Sequence, residues 1–428
     1  MRLNYKRTFF VGLAFLSICA FWQMYDNIIP LMLKNTFGLG ETVTGVLMAL
    51  DNILALFLLP LFGTLSDKVN TPLGKRTPFI IIGTIVAVIA MTLLPIANAA
   101  ANMILFIIFL GVVLVAMGAY RSPAVALMPD LTPKPLRSKA NSVINLMGAI
   151  GGVYTLIMIK LLVKEGTDYK ALFASVSAIM VITVIFLVIT IREKRLTQEI
   201  DLEAGALHKE ERQEETSRTE KTEGMPKPIK RSLIFLLASI FLWFTAYNAV
   251  TTAYSRYTEE VWGLKTGGFA DSLLVATIAA IFSYIPIGMI ASIAGRKKTI
   301  ITGILMVTSS YLCGMLFTSY SPWINVVFAF TGIGWAAINV NSYPMVVEMC
   351  KGSDIGKYTG LYYTFSMSAQ ILTPILSGSL LEFVSYKTLF PYALLFSIAS
   401  LCTMLQVKHG DSRPARRKDM IENFDTPD

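Results

Sequence analysis

Twelve apolar blocks, each long enough to cross a hydrocarbon layer about 30 Å thick, constrain this chain more than any other feature. We read them as helices at 9–33, 41–66, 78–97, 102–128, 139–162, 171–191, 231–254, 268–291, 299–318, 323–347, 356–381 and 388–407. Of 428 residues 54% are hydrophobic and only 15% charged, against about 25% charged in a soluble domain. An all-α membrane protein with twelve transmembrane helices is expected. The first run follows Arg2, Lys6 and Arg7 without a small-residue cleavage site, so it reads as a retained helix and not a signal peptide.

An even number of spans puts both termini on one side. That side carries 29 of the 37 Lys and Arg residues and the other side 7, with Arg121 alone inside a span. The positive-inside rule makes the rich side cytoplasmic, in a cell (plasma) membrane. The net charge of +9 therefore serves orientation, and no nucleic-acid partner is expected. The cysteines (19, 313, 350, 402) lie in spans or at a span end, with no CxxC pair. Both histidines, His208 and His409, lie in hydrophilic segments, so no intramembrane histidine can carry a proton.

The segment 192–230 is rich in both charge signs and poor in apolar residues, so it reads as a solvated tether. It divides the chain into a six-helix bundle at 1–191 and a second at 231–407, followed by a tail at 408–428. The halves echo each other. Gly74-Lys75-Arg76 after helix 2 is answered by Gly295-Arg296-Lys297-Lys298 after helix 8, Ser122-Pro123 by Ser342-Tyr343-Pro344, and Asp130 by Glu348. Two pseudo-symmetric bundles around a central site are expected of a secondary transporter.

Polar residues are costly against lipid, so their distribution reports which helices line a cavity. Helices 3, 6 and 9 contain no charge, Asn or Gln, and helix 12 none before Gln406. These four are expected at the periphery. Helix 1 places Trp22 and Asp26 on one stripe, and Gln23 and Asn27 on the next. Helix 2 has Asp51 near mid-span, and helix 4 has Arg121 about 13 Å from its inner end.

Asp26, Asp51 and Arg121 are the candidate cation-coupling centre: a desolvated carboxylate can titrate, and a permanent cation nearby biases it toward ionisation. The competing reading is a fixed ion pair that packs helices 1, 2 and 4. Sugars need planar faces and directional hydrogen bonds. Helix 7 offers Trp243, Tyr247 and Asn248; helix 10 Trp335 and Asn339; helix 11 Tyr363 and Gln370; helix 5 Asn145. With Trp22, Gln23 and Asn27 these are the candidate substrate contacts, each also readable as packing. Trp262 and Trp323, at span ends, are assigned to the interfacial aromatic belt.

The loop Gly63-x-x-Ser66-Asp67-Lys68 followed by Gly74-Lys75-Arg76-Thr77-Pro78-Phe79 resembles the signature loop of the major facilitator superfamily in a lengthened form. The long version resembles the plant-type sucrose–proton symporters and the glycoside–pentoside–hexuronide:cation group. The stretches Arg121-Ser122-Pro123 to Asp130, Arg137-x-x-Ala140-Asn141 and Gly356-x-x-x-Gly360 to Gln370 extend the likeness. The resemblance implies a major facilitator fold. It implies also that Asp67 bonds the N-terminal amides of helix 11 across the bundles. Lys75, Arg76, Asp130 and Arg137 would then form a cytoplasmic charge cluster, with Gly63 and Gly74 in the same gate. Helix 4 departs from the sucrose carriers, in which the arginine follows the proline. Here Arg121 precedes Pro123 and Val125 occupies that place, so Asp26 and Asp51 rest on chemistry alone.

The expectation is a proton-coupled sugar or glycoside symporter, with efflux of an amphipathic compound or sodium coupling as alternatives. No cofactor, metal or obligate protein partner is expected; the partners are a small-molecule substrate and the lipid bilayer. No HExxH, GxSxG or phosphate-cradling loop occurs, which speaks against an enzyme. A receptor would need a signalling domain, for which 192–230 is too short.

Overall fold

A computed structural model describes residues 3–132, 136–163, 168–198, 226–265, 267–349 and 355–411. Most of the predicted tether (199–225, including His208), most of the tail (412–428), and Lys134, Lys164 and Cys350 lie outside the described residues. The described residues form twelve long helices: α1 (Tyr5–Asn35), α2 (Glu41–Lys68), α3 (Thr77–Ala99), α4 (Met103–Asp130), α5 (Arg137–Leu162), α6 (Lys170–Thr190), α7 (Lys227–Trp262), α8 (Ala270–Ala294), α9 (Arg296–Gly314), α10 (Ile324–Glu348), α11 (Ile355–Phe383) and α12 (Leu389–Leu405). Ten are long and apolar enough to cross a membrane by length and composition. The exceptions are α9, which opens on Arg296-Lys297-Lys298, and α11, which is dense in Ser, Thr and Tyr. In α7 the helix runs eight residues past the predicted end and carries Arg256 into the fold.

Helix packing repeats between the halves. The pairs α1–α5, α3–α4, α2–α4, α1–α6 and α3–α6 recur as α7–α11, α9–α10, α8–α10, α7–α12 and α9–α12. Adding six to each helix number therefore reproduces the contact pattern, which is the two-bundle repeat the motifs suggested. Apolar stripes on the predicted peripheral helices face outward: Ile82, Ile85 and Ile89 on α3, Ile182, Ile185 and Ile189 on α6, Leu305 and Leu312 on α9, Leu395 and Ile398 on α12. By contrast α1 is the most enclosed of the ten apolar helices, buried along most of its length.

The halves meet through α1–α7 and through the symmetry-related pairs α2–α11 and α5–α8. Cross-half polar contacts gather on the face opposite the termini. Glu41 of α2 pairs with Arg256 of α7 at 2.6 Å and accepts from the Tyr386 hydroxyl at 2.6 Å. Lys34 meets Glu260 at 2.5 Å, Lys160 meets Asp271 at 2.6 Å, and Glu382 of α11 accepts from the Thr42 amide at 2.7 Å. The α2–α11 crossing depends on glycine. A Cβ on Gly45 would stand 2.1 Å from the Pro374 carbonyl oxygen, and one on Gly378 would stand 2.5 Å from that of Glu41.

On the termini face each half is tied to itself. Glu193 accepts from the amides of Lys75, Arg76 and Thr77 at 2.7–2.9 Å and from the Thr77 hydroxyl at 2.7 Å. It thus caps the start of α3, where unpaired amides and the helix dipole favour an anion. In the second half Asp411 accepts from the Lys297 amide at 2.8 Å at the start of α9. Gly74 and Gly295, both at positive φ (117° and 95°), let each carboxylate come close. Within the start of 192–230, Glu193 is therefore docked, 3% exposed, while Arg192, Lys194 and Arg195 around it face solvent.

Candidate functional site

Among the described residues, the charges near mid-span lie in the first half. Three helices contribute: Asp26 from α1, Asp51 from α2 and Arg121 from α4, all half-buried. Asp26 lies nine residues before the end of α1, Asp51 ten residues into α2 and Arg121 nine before the end of α4, so all three sit well inside their spans. The fold brings the three close enough for each to feel the others' charge. Arg121 rests over the Trp22 ring, 5.9 Å from guanidinium carbon to centroid, a cation–π contact that holds the charge without neutralising it. Asp51 accepts on one oxygen from the Asn52 amide at 2.5 Å and the Asn52 side chain at 2.8 Å.

The facing half is aromatic and uncharged. Tyr247 of α7 stacks on Trp335 of α10 at 3.7 Å and 6°, and Phe244 meets Trp335 edge-on at 5.2 Å. The main-chain carbonyl of Asn248 accepts from the Thr252 hydroxyl at 2.7 Å, while its side-chain Nδ2 is buried with no protein partner. Trp243 is buried nearby on α7, its indole nitrogen likewise unpartnered. On α11 Tyr363 meets Tyr362 edge-on at 5.4 Å, and Gln370 donates to the Ser366 carbonyl at 3.5 Å. Asn339 is half-buried on α10 and Asn145 on α5. Two predicted contacts look elsewhere: Asn27 donates to the Gln23 carbonyl at 2.9 Å, and the Gln23 side chain approaches Gly152 on α5.

The gate residues gather around Arg76. Its guanidinium pairs with Asp67 at 2.5 Å and Asp130 at 2.8 Å, and reaches the Gly63 carbonyl at 3.3 Å and the Ser66 hydroxyl. Burial alone would lower the Arg76 pKa; Asp130 and Asp67 outweigh it and hold the group above its ordinary value. In this conformation Asp67 thus pairs within its own half. Arg137 donates instead to the Pro129 and Thr132 carbonyls at the end of α4, and Lys75 is exposed. Arg296 and Glu348 repeat the Arg76–Asp130 pair in the second half.

Sequence reasoning missed Glu41, Arg256 and Tyr386, since a charge at a span end reads as loop charge. It missed Tyr25, an aromatic among the polar residues Gln23, Asp26 and Asn27 of helix 1. Trp262 is corrected: it is 8% exposed, donates to the Phe317 carbonyl at 3.0 Å and packs among Tyr254, Tyr257 and Tyr320, so it belongs to the core and not the belt. Trp323 is 73% exposed, as a belt residue is.

Two six-helix bundles, apolar outside and charged within, make a helical membrane protein of the two-bundle type. The model of the Major Facilitator Superfamily matches residues 11–285 and 267–424, and the chain belongs to that family. Uncharacterized MFS-type transporters from two strains of Mycobacterium tuberculosis are 24% identical over 194 residues, 44% of this chain and 27% of those proteins. Among solved structures the fold resembles the nucleoside transporter NupG (TM-score 0.67, 15% identity, 95% of this chain and 100% of that one). It also resembles a POT peptide transporter (0.68, 13%, 95% of each chain) and a bacterial homologue of ferroportin in an inward-facing state (0.66, 11%, 95% and 99%).

Proposed function

We propose that this chain is a proton-coupled symporter of a sugar or glycoside, working by alternating access in the cell membrane with both termini cytoplasmic. The observation that carries the reading is the division of labour across the interface. Asp26, Asp51 and Arg121 lie in one half, and an uncharged aromatic and amide surface, Tyr247, Trp335 and Asn248, in the other. A carboxylate beside a fixed cation can take and release a proton, and an aromatic face with a buried amide suits the C–H and O–H surfaces of a sugar. The likeness of the 63–79 loop to that of the sucrose symporters supports the same class, while Asp26, Asp51 and Arg121 rest on their chemistry. With the termini face taken as cytoplasmic, the ion pairs that join the halves on the far face fit an inward-facing conformation. Asp67 is then turned to Arg76, and its cross-bundle bond to helix 11 belongs to the outward-facing state.

The test is a pH electrode trace of deenergised vesicles during addition of a panel of disaccharides and glycosides. Alkalinisation of the medium with one sugar is the expected result. Sugar uptake that needs sodium and moves no protons would replace the coupling ion. Silence with every sugar would overturn the substrate class and favour efflux of an amphipathic compound.

A further inference from the structure

The first half holds hydrogen-bond donors that its own fold leaves unused. Trp22, Tyr25 and Asp26 stand at i, i+3 and i+4 on α1 and so share one face. The Trp22 and Tyr25 rings meet edge to face at 5.3 Å and 84°, and Phe21 stacks on Tyr25 at 5.9 Å, which fixes the phenol between its neighbours. Tyr25 is 1% exposed, and its hydroxyl has no protein partner; the Trp22 indole nitrogen is buried and also has none. Each such buried orphan is unfavourable unless a guest meets it. Both acids lie within charge range of the Tyr25 hydroxyl.

The chemistry of a guest follows from this inventory. Two X–H donors sit beside two carboxylates that accept, while Arg121 is held against the Trp22 ring. An anion would meet two carboxylates for one guanidinium, and a bare metal cation, though matched by the carboxylates and the Tyr25 oxygen, would leave the Trp22 N–H unmet. An apolar group would leave both orphans unmet. A hydroxyl group both donates and accepts, so adjacent hydroxyls satisfy both sets at once.

Resting on the transport reading above, we propose that Trp22 Nε1 and Tyr25 Oη, with Asp26 and Asp51, form a subsite for the hydroxyl groups of a neutral polyhydroxylated substrate. Tyr25 is the residue that assigns it. The acids that carry the proton would then also touch the sugar, so binding and coupling share one cluster on α1 and α2.

The experiment is calorimetric titration of the purified full chain with sucrose, maltose and methyl β-D-glucopyranoside, then with monodeoxy analogues of whichever binds. Tyr25→Phe keeps the ring packing and removes only the donor, whereas Trp22→Phe removes the indole N–H together with part of the ring on which Arg121 rests. Tyr25→Phe is expected to weaken binding about tenfold with protons moved per sugar unchanged, and Trp22→Phe to weaken it at least as much. One deoxy analogue should lose affinity against wild type and lose nothing further against Tyr25→Phe. If wild type binds a sugar and both variants match it within twofold, the subsite is overturned and the sugar reading stands. A change in protons per sugar with unchanged affinity would make Tyr25 a proton relay and also overturn it. If wild type binds none of the sugars, the sugar reading fails and the subsite with it.

Discussion

Glu41 on α2 holds Arg256 on α7 across the two halves at 2.6 Å, with side chains 3% and 5% exposed. Tyr386 donates to the same carboxylate, and Lys34 lies over the Tyr386 ring at 4.4 Å. The pair is the most enclosed ion pair spanning the halves among those described. Opening the far face must separate it, and a buried charge left alone is strongly unfavourable.

Removing one partner should therefore destabilise the closed far face. Breaking a buried pair one-sidedly costs about 3–5 kcal/mol, and 1.4 kcal/mol is a factor of ten in population. Glu41→Gln and Arg256→Gln are expected to shift the equilibrium toward the far-open state by at least about tenfold. Spin labels at Ala101 and Trp323, on far-face loops, would report it as growth of a longer distance. The reversed pair Glu41→Arg with Arg256→Glu should recover part of the short distance. An unchanged distance distribution in both single variants would remove the pair from the gate.

The α2–α11 crossing gives a steric version of the same test. With a Pro374 carbonyl oxygen 2.1 Å from the ideal Cβ position, Gly45→Ala cannot be accommodated without moving backbone. It is expected to hold the far face apart and reduce transport at least tenfold. Gly111→Ala, which meets nothing within 4 Å, is the control and should transport normally. Equal activity of the two variants would mean that close approach of α2 and α11 is not required.

Much of this architecture was legible in the sequence because lipid imposes simple rules. Apolar runs gave the spans, clean helices gave the periphery, and Gly74-Lys75-Arg76 against Gly295-Arg296 gave the repeat. What was not legible depends on distance across the fold. Arg256 counted as a loop charge until α7 was seen to extend to Trp262. Glu193 looked like one acid in a solvated run, yet it closes the start of α3 from 116 positions away. Asp26, Asp51 and Arg121 could be chosen as polar residues in spans, but that they share one cluster required the packing of α1, α2 and α4.

Glu193 makes a stability prediction. Its carboxylate satisfies three amides at the start of α3, so Glu193→Ala loses a charged cap and leaves buried donors unmet. The expected loss is about 1–2 kcal/mol, with Glu193→Gln intermediate. Unfolding of purified protein by denaturant titration would show it, and identical curves for wild type and Glu193→Ala would mean that solvent replaces the cap at no cost.

Asp51 separates coupling from translocation. One of its oxygens is occupied by Asn52, and Arg121 and Asp26 lie within charge range, so its protonation changes the net charge of the cluster from −1 to neutral. A carrier that reorients only when that charge is neutralised needs a proton for each inward turn. Asp51→Asn holds the position neutral at every pH. Accumulation of sugar against its gradient should fall at least tenfold, while exchange of labelled for unlabelled sugar continues and loses its pH dependence. Asp26→Asn examined in parallel assigns the proton: the variant that keeps exchange and loses accumulation marks the carboxylate that carries it. Full proton-driven accumulation by Asp51→Asn would remove Asp51 from the coupling step and leave Asp26, beside Tyr25 and Trp22, as the acid that does the work.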